Sequence, residues 1–119
     1  MLATRTVRQE PQAGAEKRDV SVFDLVRLRP LMQRIRGRAE IVIGLIDGPI
    51  VTDHPSLRDV RIQSVRSACA AVCTRPESAA CAHGTFVAGL LGAGREEPTP
   101  GICPGCTILV WPPVPGKFA

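Results

Sequence analysis

The sequence predicts an α/β fold built around a parallel sheet, and three observations lead to that prediction. Residues 41–46 form an apolar run, Ile-Val-Ile-Gly-Leu-Ile, which is rich in β-branched residues. Such a run is typical of a strand that is buried on both faces of a parallel sheet. Further strands are predicted over 60–65 and 108–111, with a helix of small residues over 85–91 between them. Turn-forming residues follow the strands, at the sheet edge where α/β folds gather functional groups.

The length of 119 residues leaves room for one domain. Residues 1–20 are polar and aperiodic, which predicts a disordered or loosely attached segment. The predicted domain then covers 21–119, and residues 66–81 within it are expected to be irregular. Three short strands and two helices cannot cover a parallel sheet well, so we expect this domain to be incomplete.

The segment 21–37 is expected to be partly helical. Its apolar residues at helical spacing are Leu31, Met32 and Ile35. Pro30 fits the first helical turn, where no backbone donor is needed. Gly37 is a plausible stop, because glycine readily ends a helix.

The charge pattern bears on partners and location. The net charge is +4, and much of the excess lies in the first 40 residues. Acidic residues are interspersed there and Phe23 is the only aromatic residue among the 40, so a solvated basic face is favoured over nucleic-acid binding. The sequence has neither an apolar run long enough for a transmembrane helix nor the apolar core of a signal peptide. We therefore predict a cytoplasmic chain without a membrane partner.

Asp47 directly follows the first predicted strand. A carboxylate at that place is held by rigid backbone and can orient a histidine by accepting its ring N–H. Taken alone, Asp-Gly-Pro at 47–49 is better explained as a simple turn. The longer string 43–50, Ile-Gly-Leu-Ile-Asp-Gly-Pro-Ile, is followed by His-Pro-Ser-Leu at 54–57. Together the two strings resemble the aspartate motif of the subtilase family of serine proteases.

A second string, His-Gly-Thr-Phe-Val-Ala-Gly at 83–89, resembles the histidine motif of the same family. We expect His83 at the start of a helix, with Thr85 satisfying first-turn donors. Alone, His83 could equally be a capping or core histidine. The resemblance implies that His83 is the general base, taking a proton from a serine hydroxyl while Asp47 holds its tautomer. It also implies a structural, noncatalytic role for His54.

A third string, Gly-Ile-Cys-Pro-Gly-Cys-Thr-Ile-Leu at 101–109, resembles the turn and strand that follow the histidine helix in subtilases. By itself Cys-Pro-Gly-Cys is a candidate redox pair or half of a zinc site. The remaining cysteines, which could supply more ligands, are Cys69, Cys73 and Cys81. Their spacings do not form a standard zinc knuckle, and Cys103 and Cys106 fall where the family has small residues. We therefore predict structural thiols first, zinc second and a disulfide third, and we assign no metal ligand.

The resemblance covers about residues 30–115 and implies the front half of a subtilisin-like three-layer fold. The Asp-Gly-Pro turn at 47–49, with an apolar helix just upstream, looks most like that of the subtilisin-like proteases that process ribosomal peptides of the cyanobactin kind. Three positions depart from the family pattern. The usual Asp-Ser/Thr-Gly turn is Asp-Gly-Pro at 47–49, Phe86 replaces a frequent second histidine, and Val51 replaces a frequent acidic residue. None of these departures removes a proton-transfer group.

Two parts of the family's machinery have no counterpart in these residues. The serines are Ser21, Ser56, Ser64, Ser67 and Ser78, and none lies in the Gly-Thr-Ser turn of the family's nucleophile. The chain has no Asn, so the oxyanion-hole amide is missing too.

We therefore expect the Asp/His part of a serine endopeptidase, truncated and inactive alone, that acts on peptide or protein substrates. A downstream segment or a second chain would carry the serine. No cofactor is predicted, and the calcium that subtilases often bind cannot be assigned to residues. The alternatives are a noncatalytic peptide-binding or accessory module and a cysteine-based zinc or redox protein.

Overall fold

A computed structural model describes residues 21–65 and 73–111. They form a three-stranded parallel sheet of β1 (Val42–Ile46), β2 (Arg61–Ser64) and β3 (Thr107–Trp111), in the spatial order β1-β3-β2. The α/β class and the parallel sheet are thus confirmed, and each predicted strand is found within a residue or two of its expected bounds. The segments 1–20 and 112–119 lie outside the described residues, as do residues 66–72 of the predicted irregular stretch 66–81.

One face of the sheet carries the core. Ile108 and Val110, in the central strand, are almost fully buried there, beside Leu45 of the neighbouring strand. Ala88 of the long helix packs against them and has no exposed surface, because a small residue lets the helix approach the sheet closely. The short 3₁₀ turn Pro55–Leu57 adds the buried Leu57 to the same cluster.

The opposite face is open within the part of the chain that the structure describes. Val42 is 55% exposed, Ile46 79% and Trp111 52%, and the register places Ile46 beside Trp111. The prediction that the first strand is buried on both faces is therefore wrong for these residues. The physical reason is that the long helix and the 3₁₀ turn both pack on the other side.

Within residues 21–65 and 73–111, three helices accompany the sheet: α1 (Val22–Leu25), α2 (Arg29–Arg34) and α3 (Ala79–Gly92). Pro30 lies in the first turn of α2 as predicted. Helix α2 ends at Arg34, with Ile35 as its C-cap residue, so it does not reach the predicted stop at Gly37. No helix among the described residues is both long and apolar enough to cross a membrane.

Helix α3 begins six residues earlier than the predicted helix over 85–91. Ser78 caps its start, with the side-chain oxygen accepting a hydrogen bond from the backbone N–H of Cys81. Serine is among the preferred N-cap residues, and the alanines that follow have the highest helix propensity. Both signals are present in the sequence, but the prediction did not use them.

The cysteines correct another prediction. Cys73 and Cys81 form a disulfide that joins the start of α3 to the segment before it. The expectation of structural thiols is therefore wrong for this pair, which lies at a Cα separation of 5.8 Å, within the ordinary disulfide range. Cys103 and Cys106 are free thiols, and Cys69 lies outside the described residues.

Candidate active site

The carboxyl end of β1 delivers Asp47 to the edge of the sheet. Its side chain is only 21% exposed, and Oδ1 accepts a hydrogen bond of 2.6 Å from the backbone N–H of Gly48. The aspartate is therefore oriented by its own turn before any other side chain contacts it. A partly buried carboxylate held in this way is suited to accept one more directed hydrogen bond.

His83 supplies that hydrogen bond. Its Nδ1 lies 3.0 Å from Oδ1 of Asp47, and its side chain is 66% exposed. An ionised carboxylate can only accept, so the proton of the pair belongs on Nδ1 of a neutral ring. The lone pair of Nε2 is then left for another group. The structure thus brings together the two residues that the motifs predicted.

The position of His83 on its helix differs from the expectation. It lies in the second turn of α3 and not at the helix start, because Ser78 and the disulfide-linked Cys81 begin the helix earlier. The extra turn matters for the site. It places backbone of α3 beside the turn that carries Asp47, so helix and strand end are in direct contact.

Two glycines allow that contact. A methyl group on Gly48 would lie 2.4 Å from the carbonyl oxygen of Ala80 in α3. A methyl group on Gly84 would lie 2.5 Å from the carbonyl oxygen of Gly48. Both separations are shorter than van der Waals contact, so side chains at these positions would push the helix away from the turn. A methyl group on Gly89, in the same helix, would have nothing within 4 Å.

Thr85 secures the far end of the same loop. Its Oγ1 accepts a hydrogen bond of 2.9 Å from the backbone N–H of Val51. The expected role of Thr85, satisfying first-turn donors of its own helix, is therefore wrong, since Ser78 does this. The loop from Asp47 to Val51 is tied to α3 at both ends, with Ile50 buried between them.

A largely apolar cleft of about 490 Å³ lies along α3, and neither residue of the Asp47–His83 pair is part of its lining. Its walls include Val51, Leu57, Phe86 and Leu90. Val51 and Phe86 are two of the three positions at which the sequence departs from the subtilase pattern. Phe86 is largely exposed, so its ring is available to a molecule bound in the cleft.

His54 lies on the rim of this cleft, and its contacts are local. Its Nδ1 accepts a hydrogen bond of 3.2 Å from the backbone N–H of Ser56 and so caps the 3₁₀ turn. No contact with Asp47 or His83 is found for it in the described structure. Its surroundings offer a structural reason for a histidine at this place.

The serines within 21–65 and 73–111 do not contact His83 through a hydrogen bond. Ser21 and Ser78 cap helices, and the hydroxyl of Ser56 donates to Glu97 at 2.9 Å. Ser64 lies exposed on β2, and Ser67 is outside the described residues. Across the same residues no three histidine, cysteine or acidic side chains cluster as metal ligands would.

Comparison with known proteins gives this geometry a context. The sequence profile of the subtilase family matches residues 38–113, which is more than half of the chain. No curated protein sequence matches the chain.

Solved structures of two proteases resemble it. The S218A mutant of the protease domain of PatA is 28% identical over 66% of this chain, with a TM-score of 0.60. The prenylagaramide maturation protease PagA is 25% identical over 71% of this chain, with a TM-score of 0.56. The chain spans about a quarter of each of these structures, 28% and 27% respectively. On its sequence and its fold, this chain belongs to the subtilase family.

Proposed function

We propose that the chain supplies the aspartate and histidine of a subtilisin-type serine protease site that hydrolyses peptide bonds. The observation that carries the proposal is the 3.0 Å contact between Nδ1 of His83 and Oδ1 of Asp47, at the carboxyl end of a parallel strand. The subtilase profile covers both residues. Their catalytic role remains a prediction that the geometry supports.

The contact suggests how the pair would act. Asp47 accepts the Nδ1 proton and so fixes the tautomer in which Nε2 carries the lone pair. Nε2 can then take the proton from a serine hydroxyl as that hydroxyl attacks a peptide carbonyl. The resulting imidazolium, stabilised by the carboxylate, returns the proton to the departing amine. The exposure of the His83 ring leaves room for both the serine and the substrate.

The nucleophile would come from polypeptide outside these 119 residues, either downstream or on a second chain. Three of the described serines are engaged in caps or with Glu97, and none has the sequence context of a subtilase nucleophile. Asp and His without a nucleophile cannot form an acyl-enzyme. We therefore expect the chain alone to show no peptidase activity above the buffer rate.

The substrate would be a peptide or a protein segment bound in extended form near His83. The cleft beside α3 is lined mainly by apolar side chains, which suits apolar residues of a peptide. Among the similar structures, PagA is a prenylagaramide maturation protease. By analogy, we infer that this site processes a precursor peptide.

A fluorophosphonate probe tests the proposal, since it reacts with serines activated by a histidine base. The tagged 119-residue chain is isolated natively from its source cells, together with any polypeptide that it carries, and is then treated with the probe. We expect covalent labelling of a serine in the isolated assembly. Labelling should be lost with Asp47→Asn and His83→Ala and retained with His54→Ala, whose side chain has only local contacts. The proposal would be contradicted if no serine were labelled, or if labelling were unchanged in both site variants.

A further inference from the structure

We propose that Cys103 and Cys106 form a reversible disulfide, a redox site separate from the Asp47–His83 pair. The two residues flank Pro104 and Gly105 in the turn that leads into β3. Both are free thiols in the structure, and they lie outside the disulfide between Cys73 and Cys81.

The backbone of the turn already has the shape that a disulfide requires. The N–H of Cys106 donates to the carbonyl oxygen of Cys103 at 3.0 Å, which is the bond that closes a four-residue turn. In such a turn the first and last Cα atoms are less than about 7 Å apart, and disulfides span about 4.4–6.8 Å. Closing the bond would therefore need little movement of the main chain.

The side chains also converge. A methyl group placed on Gly37 would lie 2.3 Å from Sγ of Cys106 and 3.5 Å from Cβ of Cys103. Both residues thus border one small space above Gly37, into which Sγ of Cys106 projects. Gly37 has a φ of +78°, a conformation that suits glycine, and any larger residue would fill the space that Sγ of Cys106 occupies.

The surrounding contacts hold this arrangement in place from both sides. The N–H of Cys103 donates to the carbonyl oxygen of Leu91 at the end of α3, and the N–H of Gly105 donates to the carbonyl oxygen of Arg36. The guanidinium of Arg95 bridges the carbonyl oxygens of Ile35 and Ile102. The turn is therefore pinned between the helix end and the connection into β1, so the thiols stay close together.

The two thiols differ in access, and this assigns them different roles. Cys106 is only 4% exposed, whereas Cys103 is half-buried and reachable. Burial and the neighbouring Cys106 raise the pKa of the Cys103 thiol, and Arg95 acts in the opposite direction. Its greater exposure, and not its pKa, makes Cys103 the thiol that an external oxidant meets first, with Cys106 as the resolving thiol behind it.

The reaction balances with a low-molecular-weight disulfide as oxidant. The Cys103 thiolate attacks one sulfur of that disulfide, which forms a mixed disulfide and releases one small thiol. Cys106 then gives up its proton and attacks Sγ of Cys103, releasing the second small thiol and closing the protein disulfide. The protein loses two electrons and two protons, and the small disulfide gains them. A small dithiol reverses the process.

Tryptic digestion separates this pair from the other cysteines. Cleavage after Arg95 and Lys117 gives a peptide, 96–117, whose only cysteines are Cys103 and Cys106. The other three remain together in peptide 67–95, because Arg75 is followed by Pro76 and resists trypsin. The native 119-residue chain is equilibrated in oxidised and reduced glutathione at graded ratios. It is then quenched with acid, alkylated and digested, and the mass of peptide 96–117 is measured by mass spectrometry.

We expect peptide 96–117 to lose two hydrogens in oxidising buffer and to take up two alkyl groups after reduction. In Cys106→Ser, glutathione should remain attached to Cys103, because no resolving thiol is present. In Cys103→Ser, the buried Cys106 should gain little adduct. A Cys73→Ser, Cys81→Ser double variant should leave the behaviour of peptide 96–117 unchanged.

Two results on the unmodified chain would overturn the proposal without any variant. One is a peptide 96–117 that carries two alkyl groups at every glutathione ratio. The other is a glutathione adduct on Cys103 that persists while Cys106 stays reduced. Both leave the proposed peptidase site untouched, so this inference stands or fails independently of it.

Discussion

The two histidines of this chain have opposite chemistry at the same ring atom. Nδ1 of His54 accepts a hydrogen bond from the backbone N–H of Ser56 at 3.2 Å. Nδ1 of His83 faces the carboxylate of Asp47 at 3.0 Å and must donate to it. The first contact joins residues two apart in the sequence, whereas the second joins residues 36 apart.

The two contacts therefore depend on different parts of the structure. The His54 contact depends only on the local turn, so it does not require two distant elements of the fold to be docked. The His83 contact needs β1 and α3 to be docked, which in turn needs glycine at 48 and 84. A histidine oriented by a distant carboxylate is the arrangement that general-base catalysis uses, and a capping histidine is not.

The largest expected effect separates the two histidines by activity. In the assembly that reacts with fluorophosphonate, His83→Ala and Asp47→Asn should each slow labelling by about 10³–10⁴-fold, since each disables the base. His54→Ala should change the rate less than about threefold, because it removes only a cap worth about 1 kcal/mol. Similar losses for His54→Ala and His83→Ala would contradict the roles assigned here.

A second prediction breaks the docking that the His83 contact depends on. Gly84→Ala places a methyl group 2.5 Å from the carbonyl oxygen of Gly48, so we expect a loss of about 1–3 kcal/mol in the free energy of unfolding. Gly89→Ala is the matched control on the same helix, where nothing lies within 4 Å. It should stabilise the chain by about 0.5–1 kcal/mol through helix propensity. Urea denaturation measures both, and equal effects would show that the close approach is unimportant.

The smallest expected effect concerns the cap at His54. Replacing His54 with alanine removes the acceptor for the Ser56 N–H and should cost about 0.5–1 kcal/mol of unfolding free energy. Asparagine is a good capping residue, so His54→Asn should recover most of that loss. Thermal unfolding of the two variants checks this, and an asparagine variant no better than the alanine variant would rule out the cap.

Sequence reasoning predicted Asp47 and His83, which the structure places in contact, because the signals for both residues are local. The apolar run before Asp47 and the string beginning at His83 each predict an element and a functional side chain. Their pairing followed from the motifs and not from the physics of either segment alone. The sequence identified Phe86 only as a departure from the family pattern, and it did not predict that Phe86 lines a cleft.

Two of the errors come from tertiary context and one does not. The sequence prediction starts α3 too late because it includes two local signals, the Ser78 cap and the alanines after it, in the irregular stretch 66–81. The Cys73–Cys81 disulfide depends on a helix start that lies earlier than predicted. Thr85 was assigned to its own helix, although its partner, the Val51 N–H, belongs to a loop 34 residues away.

The tautomers of the two histidines test the central claim most directly. Nitrogen-15 NMR of the labelled 119-residue chain distinguishes a protonated from an unprotonated ring nitrogen, and His54 serves as the internal control. We expect opposite tautomers, with neutral His83 protonated at Nδ1 and neutral His54 protonated at Nε2. Asp47→Asn should disturb only the His83 signals. Two histidines in the same tautomer, or His83 signals that ignore Asp47→Asn, would contradict an aspartate-oriented histidine at this site.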